Sequence, residues 1–180
     1  MASYKGTGVV FMRELMGRAG PEVQTQFLAQ LSDGDKEVFL RTLEFHWVPI
    51  ESITRLFEAA APLLYPGNRN GLRMIGRAMA SDHLHGVYRI VMRVISIDTI
   101  IERSARLWHT YHRMGKTRVE RVAPNLLHFL VSDYPGLPDN FQECMCGYIA
   151  QVLELAHAKE VLVSRSTLAV DRYCWKLSWI

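Results

Sequence analysis

Seven histidines and three cysteines are the residues of this chain most able to do chemistry, and their spacing suggests several sites without completing one. His109 and His112 are three apart, a separation at which two imidazoles on one helix face can share a metal ion. Two ligands do not make a site, and Arg106 and Arg113 beside them oppose a cation, so a surface or capping role is preferred over metal or haem. His83 and His85 diverge on any helix. His46, between Phe45 and Trp47 at a helix end, reads as a hydrogen-bonded imidazole or a helix C-terminal contact. His128 lies in a strand, either lining a pocket between sheet and helices or standing at the edge of the core. Cys144-Met145-Cys146 is a C-x-C on a helix, whose thiols point roughly 200° apart. Cys174 sits on the non-aromatic side of the last strand. If that side meets the helix of Cys146, then Cys146 and Cys174 become weak candidates for a thiol pair or a degenerate metal site. The competing reading is small buried hydrophobes.

Asn68-Arg69-Asn70-Gly71 at a helix start, with Arg69, Arg73 and Arg77 at four-residue steps, offers donors to an anion. A solvated helix face is the preferred explanation. The signatures of common enzymes are missing: no G-x-S-x-G, no P-loop, no dinucleotide fingerprint and no H-E-x-x-H. The expectation is therefore a protein that is not an enzyme, with no catalytic residues, no assigned metal and an unknown cofactor.

Composition is that of an ordinary soluble globular chain, with 49% hydrophobic and 22% charged residues among 180. The net charge of +3, from 21 basic and 18 acidic residues, is too small to argue for nucleic acid. Arginine outnumbers lysine, which suits fixed pairing. No apolar run reaches a membrane span, and the N-terminus lacks the apolar core of a signal peptide. Three unevenly spaced cysteines are no disulfide framework, so reduced thiols and a cytoplasmic location are expected.

The elements that must position these residues change character near Gly115. Residues 1–115 read as helices: Val9–Arg18, one opened by Pro21, one capped by Ser32 or Asp33 with Val38, Phe39 and Leu43 inward, and one restarted by Pro49 after Trp47-Val48-Pro49 breaks the pattern. Gly71–Ser81 and Gly86–Ile95 follow as one long helix or two. Ser96 then caps a helix with Ile97, Ile100, Ile101, Leu107, Trp108 and Tyr111 inward, ended by Gly115. Residues 116–180 read β-β-α-β-β. Strands over Thr117–Ala123 and Leu126–Ser132 form a hairpin around Pro124-Asn125, the second central because both its faces are apolar. A helix capped by Asp139 or Asn140 crosses to strands Glu160–Ser164 and Val170–Trp179, the latter alternating Tyr173, Trp175, Leu177 and Trp179 with Cys174, Lys176 and Ser178. The fold class is α+β in one domain over 1–180: a helical N-terminal layer and a four-stranded antiparallel sheet. The aromatic face of the last strand is read as core or as a dimer seam.

Leu64-Tyr65-Pro66-Gly67, the punctuating Gly71, Gly76, Gly86 and Gly115, Tyr134-Pro135, Cys146-Gly147 and the closing Trp179 carry a resemblance spanning nearly the whole chain. The chain resembles an uncharacterised paralogous family of roughly 200-residue proteins expanded in myxobacteria. Trp47-Val48-Pro49 stands where that family tends to have Trp-Tyr-Pro. Residues 116–180 are more distantly similar to the vinyl-reductase-type ligand-binding domain, whose fold relatives include haem nitric-oxide-binding proteins and Bet3-type tethering subunits. Cys146-Gly147 and Cys174-Trp175 match there. The cysteine that often opens the last hairpin is replaced near Ser166, Thr167 and Leu168, which weakens a cysteine metal site, and no haem-ligand histidine is assignable. The resemblance implies a bacterial, dimeric, regulatory module that binds a small molecule or scaffolds a partner. The expected function is a non-enzymatic sensory module holding a small apolar ligand between sheet and helices, near Met79, Trp108, Tyr111, His128 and Tyr148. The alternative is a homodimeric adaptor for a signalling partner, without a ligand.

Overall fold

Apolar spacing and local stop signals set the first elements. The computed structural model describes residues 2–84 and 96–180; the helix expected over Gly86–Ile95, and His85 before it, lie outside them. Strand β1 (Ser3–Lys5) leads into α1 (Thr7–Ala19), which buries Val9, Phe11, Met12 and Met16. Gly20 ends that helix at a φ of 99°, and Pro21 opens α2 (Pro21–Gln30) where its missing N–H costs nothing. Ser32 caps α3 (Asp33–Arg41), its Oγ accepting from the Asp35 N–H at 3.2 Å. Strand β2 (Trp47–Pro49), α4 (Ile50–Leu64) and α5 (Gly71–His83) follow. Ser96 caps α6 (Ile97–Tyr111) as expected, accepting from the Thr99 N–H at 3.3 Å.

The second half is the expected β-β-α-β-β: hairpin β3 (Lys116–Ala123) and β4 (Leu126–Ser132), helix α7 (Asp139–Leu155), hairpin β5 (Leu162–Ala169) and β6 (Arg172–Ser178). The sheet is antiparallel in the order β3-β4-β6-β5, with β4 interior as its two apolar faces require. Register sets Leu127 opposite Leu177, Phe129 opposite Trp175 and Val131 opposite Tyr173, all six buried. Trp175 Nε1 donates to the Gln142 carbonyl of α7 at 3.3 Å. The chain's own helix thus meets the aromatic face of the last strand.

Local chemistry and tertiary packing part company at four places. Trp47-Val48-Pro49 is a strand, paired with β1 so that Tyr4 faces Val48; its short pattern carries no period of its own. Strand β5 runs five residues beyond Ser164, to Ala169, because pairing with β6 outweighs the polar run Arg165-Ser166-Thr167. The N-cap of α7 is Pro138, and its carbonyl rather than an Asp139 or Asn140 side chain takes the first bond, from Gln142 N–H at 3.0 Å. Leu43 and Leu107, expected inward, are 50% and 51% exposed.

Helices α5 and α7 touch backbone to backbone. A β-carbon on Gly76 would stand 1.9 Å from the Cys144 carbonyl oxygen, and one on Gly147 would stand 1.9 Å from that of Arg73. Around this crossing two members of the arginine row, Arg73 and Arg77, are held in ion pairs, while Arg69 is exposed as a solvated face would have it. Arg73 Nε donates to Glu143 at 2.7 Å, and Arg77 grips Glu154 with bonds of 2.6 and 2.9 Å. Arg165 of β5 donates to the other Glu143 oxygen at 2.7 Å. Burial pushes the Glu143 carboxyl up, but bonds from Arg165 and Arg73 more than reverse this and hold it below the usual range.

Candidate functional site

Rings fill the junction between the sheet's buried face, α6 and the helical layer. His112, one residue past α6, is 2% exposed. Its imidazole lies on the Trp108 indole with centroids 3.7 Å apart and planes 4° from parallel. Tyr4, Tyr134 and Phe141 meet it edge-on, and its Nδ1 is 3.3 Å from the Tyr134 hydroxyl. Burial, with His109 nearby as a smaller cause, lowers its pKa to about 3 and keeps the ring neutral. Trp108 Nε1 donates to the Met114 carbonyl at 2.8 Å. Gly115, at a φ of 87°, makes the turn under these rings; a β-carbon there would be 2.9 Å from the Tyr134 ring and 3.0 Å from Trp108 Nε1.

One position earlier, Tyr111 turns toward His83, and the packing widens. The rings of Phe11, Tyr111 and Tyr148 stand 6.3, 6.1 and 6.0 Å from His83. The Tyr148 hydroxyl is 3.5 Å from His83 Nδ1. His83, Tyr111 and Tyr148 are each only partly buried. Burial pushes the hydroxyls of Tyr148 and Tyr4 above the usual tyrosine range. A partly buried imidazole flanked by two tyrosines and a phenylalanine combines polar atoms with an apolar wall, the composition of small-ligand sites.

Strand β1 fastens this junction. Tyr4 pairs with Val48 on one side and bridges to His112 on the other, while Arg113 N–H donates to the Ser3 carbonyl at 3.1 Å. The helical layer and the end of α6 are therefore held by one short strand.

Of the five residues expected to share a pocket, the structure gathers four in this seam. Met79 is buried one helical turn before His83, Tyr111 and Tyr148 flank His83, and Trp108 stands at the closed end. His128 is not among them. It pairs between Glu120 and Lys176, alternating with the buried Leu127 and Phe129, and so faces away from the seam. Two surface grooves bounded by described residues contain none of the five. Residues that spacing did not place at the site are Tyr4, Phe11, His83, His112, Tyr134 and Phe141. The pair His109/His112 drew attention for chelation, whereas only His112 is inside and its role is packing.

Cys146 and Cys174 do not meet. Cys146 is buried beside Trp175 of the packed face, while Cys174 is in register with Leu130 and Ser166 and points to the other face. Burial pushes the Cys146 thiol up to about 11 and raises Cys174 as well. Among the described residues no group of three or more His, Cys, Asp or Glu is placed to hold a metal ion.

The fold is shared with solved structures along nearly all of the chain, not only over residues 116–180. An H-NOX protein from S. oneidensis, in an Fe(II)NO state, aligns at a TM-score of 0.67 and 11% identity, covering 98% of this chain and 99% of that one. An Fe(II) unliganded H-NOX protein from K. algicida aligns at 0.66 and 11%, covering 98% and 96%. An oxygen-binding H-NOX domain related to soluble guanylate cyclases aligns at 0.63 and 12%, covering 97% and 92%. No curated protein matches the chain. A family model described as "Protein of unknown function (DUF2378)" matches residues 9–180.

Haem, for which the H-NOX family is described, does not fit the described residues. The faces and edges of His112 are taken by Trp108, Tyr134, Tyr4 and Phe141, and Phe11, Tyr111 and Tyr148 surround His83. A macrocycle beside either imidazole would have to displace several of these rings.

Proposed function

From the premise that the chain belongs to the DUF2378 family and is folded like the H-NOX domains, we propose that it is a non-enzymatic sensory or regulatory module. It binds a small apolar ligand, smaller than haem, in the seam around His83, Tyr111 and Tyr148. The observation that carries this reading is the contrast along the seam. Rings lie 3.7 to 5.7 Å from His112 at one end but 6.0 to 6.3 Å from His83 at the other, where the Tyr148 hydroxyl approaches the imidazole. We read the site as one of recognition rather than reaction, because burial keeps His112 neutral and raises the buried thiols. Placement in a bacterial cytoplasm and a signalling partner belong to the same proposal. Among the described residues no helix is long and apolar enough to cross a membrane.

Native mass spectrometry with an absorption spectrum of the purified protein tests it. The expected result is a co-purifying small mass without a Soret band, lost when Met79→Trp fills the seam. The competing reading, a homodimeric adaptor without a ligand, takes its support from the closed His112 end. It predicts an apo dimer whose mass Met79→Trp leaves unchanged. A Soret band at one haem per chain would sink the exclusion of haem.

A further inference from the structure

Away from the seam residues lies an open groove of about 680 Å³, walled by Val38 and Arg41 of α3, Phe45 and His46 of the next turn, Trp47 of β2 and Arg113 beyond α6. Phe45 is 66% exposed, with Leu40 and Leu43 near it in sequence at 56% and 50%. A large apolar side chain held out at the wall of a groove suits an interaction surface. They are held out by design of the turn. Arg13 donates to the carbonyls of Phe39, Leu40 and Thr42 at 2.9, 2.8 and 2.7 Å, and the Leu43 N–H donates to His46 Nδ1 at 3.2 Å. With its carbonyls satisfied by the chain itself, the turn keeps one shape and presents Phe45 outward.

Basic groups outnumber acidic ones around the groove, with Arg41, Arg113 and the nearby Lys5 against Glu37. Lys5 Nζ and the Arg113 guanidinium each lie 4.7 Å from the centre of the Trp47 ring. Neither forms an ion pair among the described residues. Arg41 pairs only with Glu37 of its own helix, at 3.1 Å, and both are well exposed, so that pair is readily exchanged. Arg41 and Arg113 thus line an apolar floor that includes Trp47, Val48 and Pro49, and Lys5 stands over the Trp47 ring beside it.

We infer that this groove is the docking surface for an acidic, apolar segment of a partner protein. Apolar side chains of the segment pack on Phe45 and Trp47, and its carboxylates pair with Arg41, Arg113 and Lys5. The concave floor and fixed turn suit a peptide segment, and the cations select its charge. The inference stands on the groove alone and does not depend on a ligand in the seam. It does place the partner against Arg113, the residue after His112, and hence against the segment that closes the seam.

Panning a random-peptide display library on the full chain tests it, with the double variant Phe45→Ser, Arg113→Glu as counter-target. Both side chains face solvent, and a circular dichroism melt checks that the variants fold. Enriched peptides should alternate Asp or Glu with Phe, Leu or Trp. A synthetic copy of the most enriched peptide, measured by fluorescence anisotropy, should lose affinity with added salt and lose about tenfold or more against each single variant. Arg118→Glu on β3 should leave that affinity unchanged. The proposal is overturned by no enrichment, by enrichment of basic or uncharged peptides, or by affinity indifferent to both groove substitutions. It is equally overturned if Phe45→Ser converts a dimer to a monomer in ultracentrifugation, or abolishes flotation with phosphatidylserine vesicles. Those outcomes assign the groove to a second copy or to a membrane.

Discussion

His112 ties the seam to pH. Its pKa is about 3 in the fold against an ordinary value of 6.5, so above pH 6.5 the neutral ring contributes its full packing in both directions of the comparison. As pH falls below 6.5 the unfolded chain takes up a proton that the folded chain refuses, and stability declines by up to about 1.4 kcal/mol per pH unit. The carboxylates Asp35 and Glu143 act lower. Hydrogen bonding from Arg55 depresses Asp35 below 3.8, and Glu143 lies below 4.5 despite its burial, because Arg165 and Arg73 hold it there. Their contribution is present above those values and lost as pH falls through the folded pKa. The interval from pH 4.5 to 6.5 therefore reports on His112 rather than on these two. His112→Phe keeps the stack on Trp108 but leaves the Tyr134 hydroxyl without its partner, a loss of about 1–3 kcal/mol at neutral pH. Urea unfolding across that interval should show a flatter pH slope for the variant than for the wild type. An identical slope would mean that His112 titrates normally in the fold. At the same scale, Tyr148→Phe removes the hydroxyl facing His83 and should cost about 1 kcal/mol of stability while weakening ligand retention by native mass spectrometry.

At the level of elements, two contacts carry the architecture. The α5–α7 crossing exists because Gly76 and Gly147 have no β-carbon, and the opposing atoms are backbone carbonyls that cannot turn aside. Gly147→Ala should therefore destabilise by at least about 3 kcal/mol, measured as a shift in the urea midpoint at constant m-value. An alanine accommodated without loss would show that the helices do not approach this closely. The second contact is β1. Tyr4→Ala removes a ring that is 5% exposed and packs against His112, Phe141 and Tyr111, a change worth about 3–5 kcal/mol. Because Tyr4 joins β2 to the end of α6, hydrogen exchange should rise first over Ile97–Tyr111. Protection lost evenly along the chain would argue that β1 is not a local fastening.

Across the whole molecule, helical layer and sheet share one core cluster running from Tyr4 and Phe11 through Trp108 and Phe141 to Trp175 and Leu177. The Arg73–Glu143–Arg165 chain adds a polar tie between α5, α7 and β5. Residues 1–180 are accordingly expected to unfold as one cooperative unit, with coincident transitions by far-ultraviolet circular dichroism and tryptophan fluorescence. Two separated transitions would divide the helical layer from the sheet near residue 115. The cover that α7 gives Tyr173, Trp175 and Leu177 also removes that face from use as a dimer seam. A homodimer, if the protein forms one, must use another surface.

Long-period signals were readable from the residues alone. The alternation Tyr173-Trp175-Leu177, the two-faced apolar β4, the caps Ser32 and Ser96, and Pro21 at a helix start each depend on neighbours within a turn or a strand. The order of helices, hairpin, helix and hairpin therefore follows from local chemistry. Four seam residues, Met79, Trp108, Tyr111 and Tyr148, were legible for the same reason: each lies on the inward stripe of its helix. What local chemistry cannot supply is which side of one element meets another. His128 shares its strand with Phe129, yet the sheet's packing face turns it away from Trp108. Cys146 and Cys174 are parted by that same choice. Tyr4 and His112 are brought together across more than a hundred residues by a three-residue strand with no periodic signal. The glycines at 76 and 147 read as punctuation in the chain and become a contact only when α5 and α7 cross. The sequence by itself determined the elements and their inward stripes, because those rest on short-range sterics and amphipathic period. Only the tertiary structure decided which stripes face each other, because that depends on contacts between residues far apart in the chain.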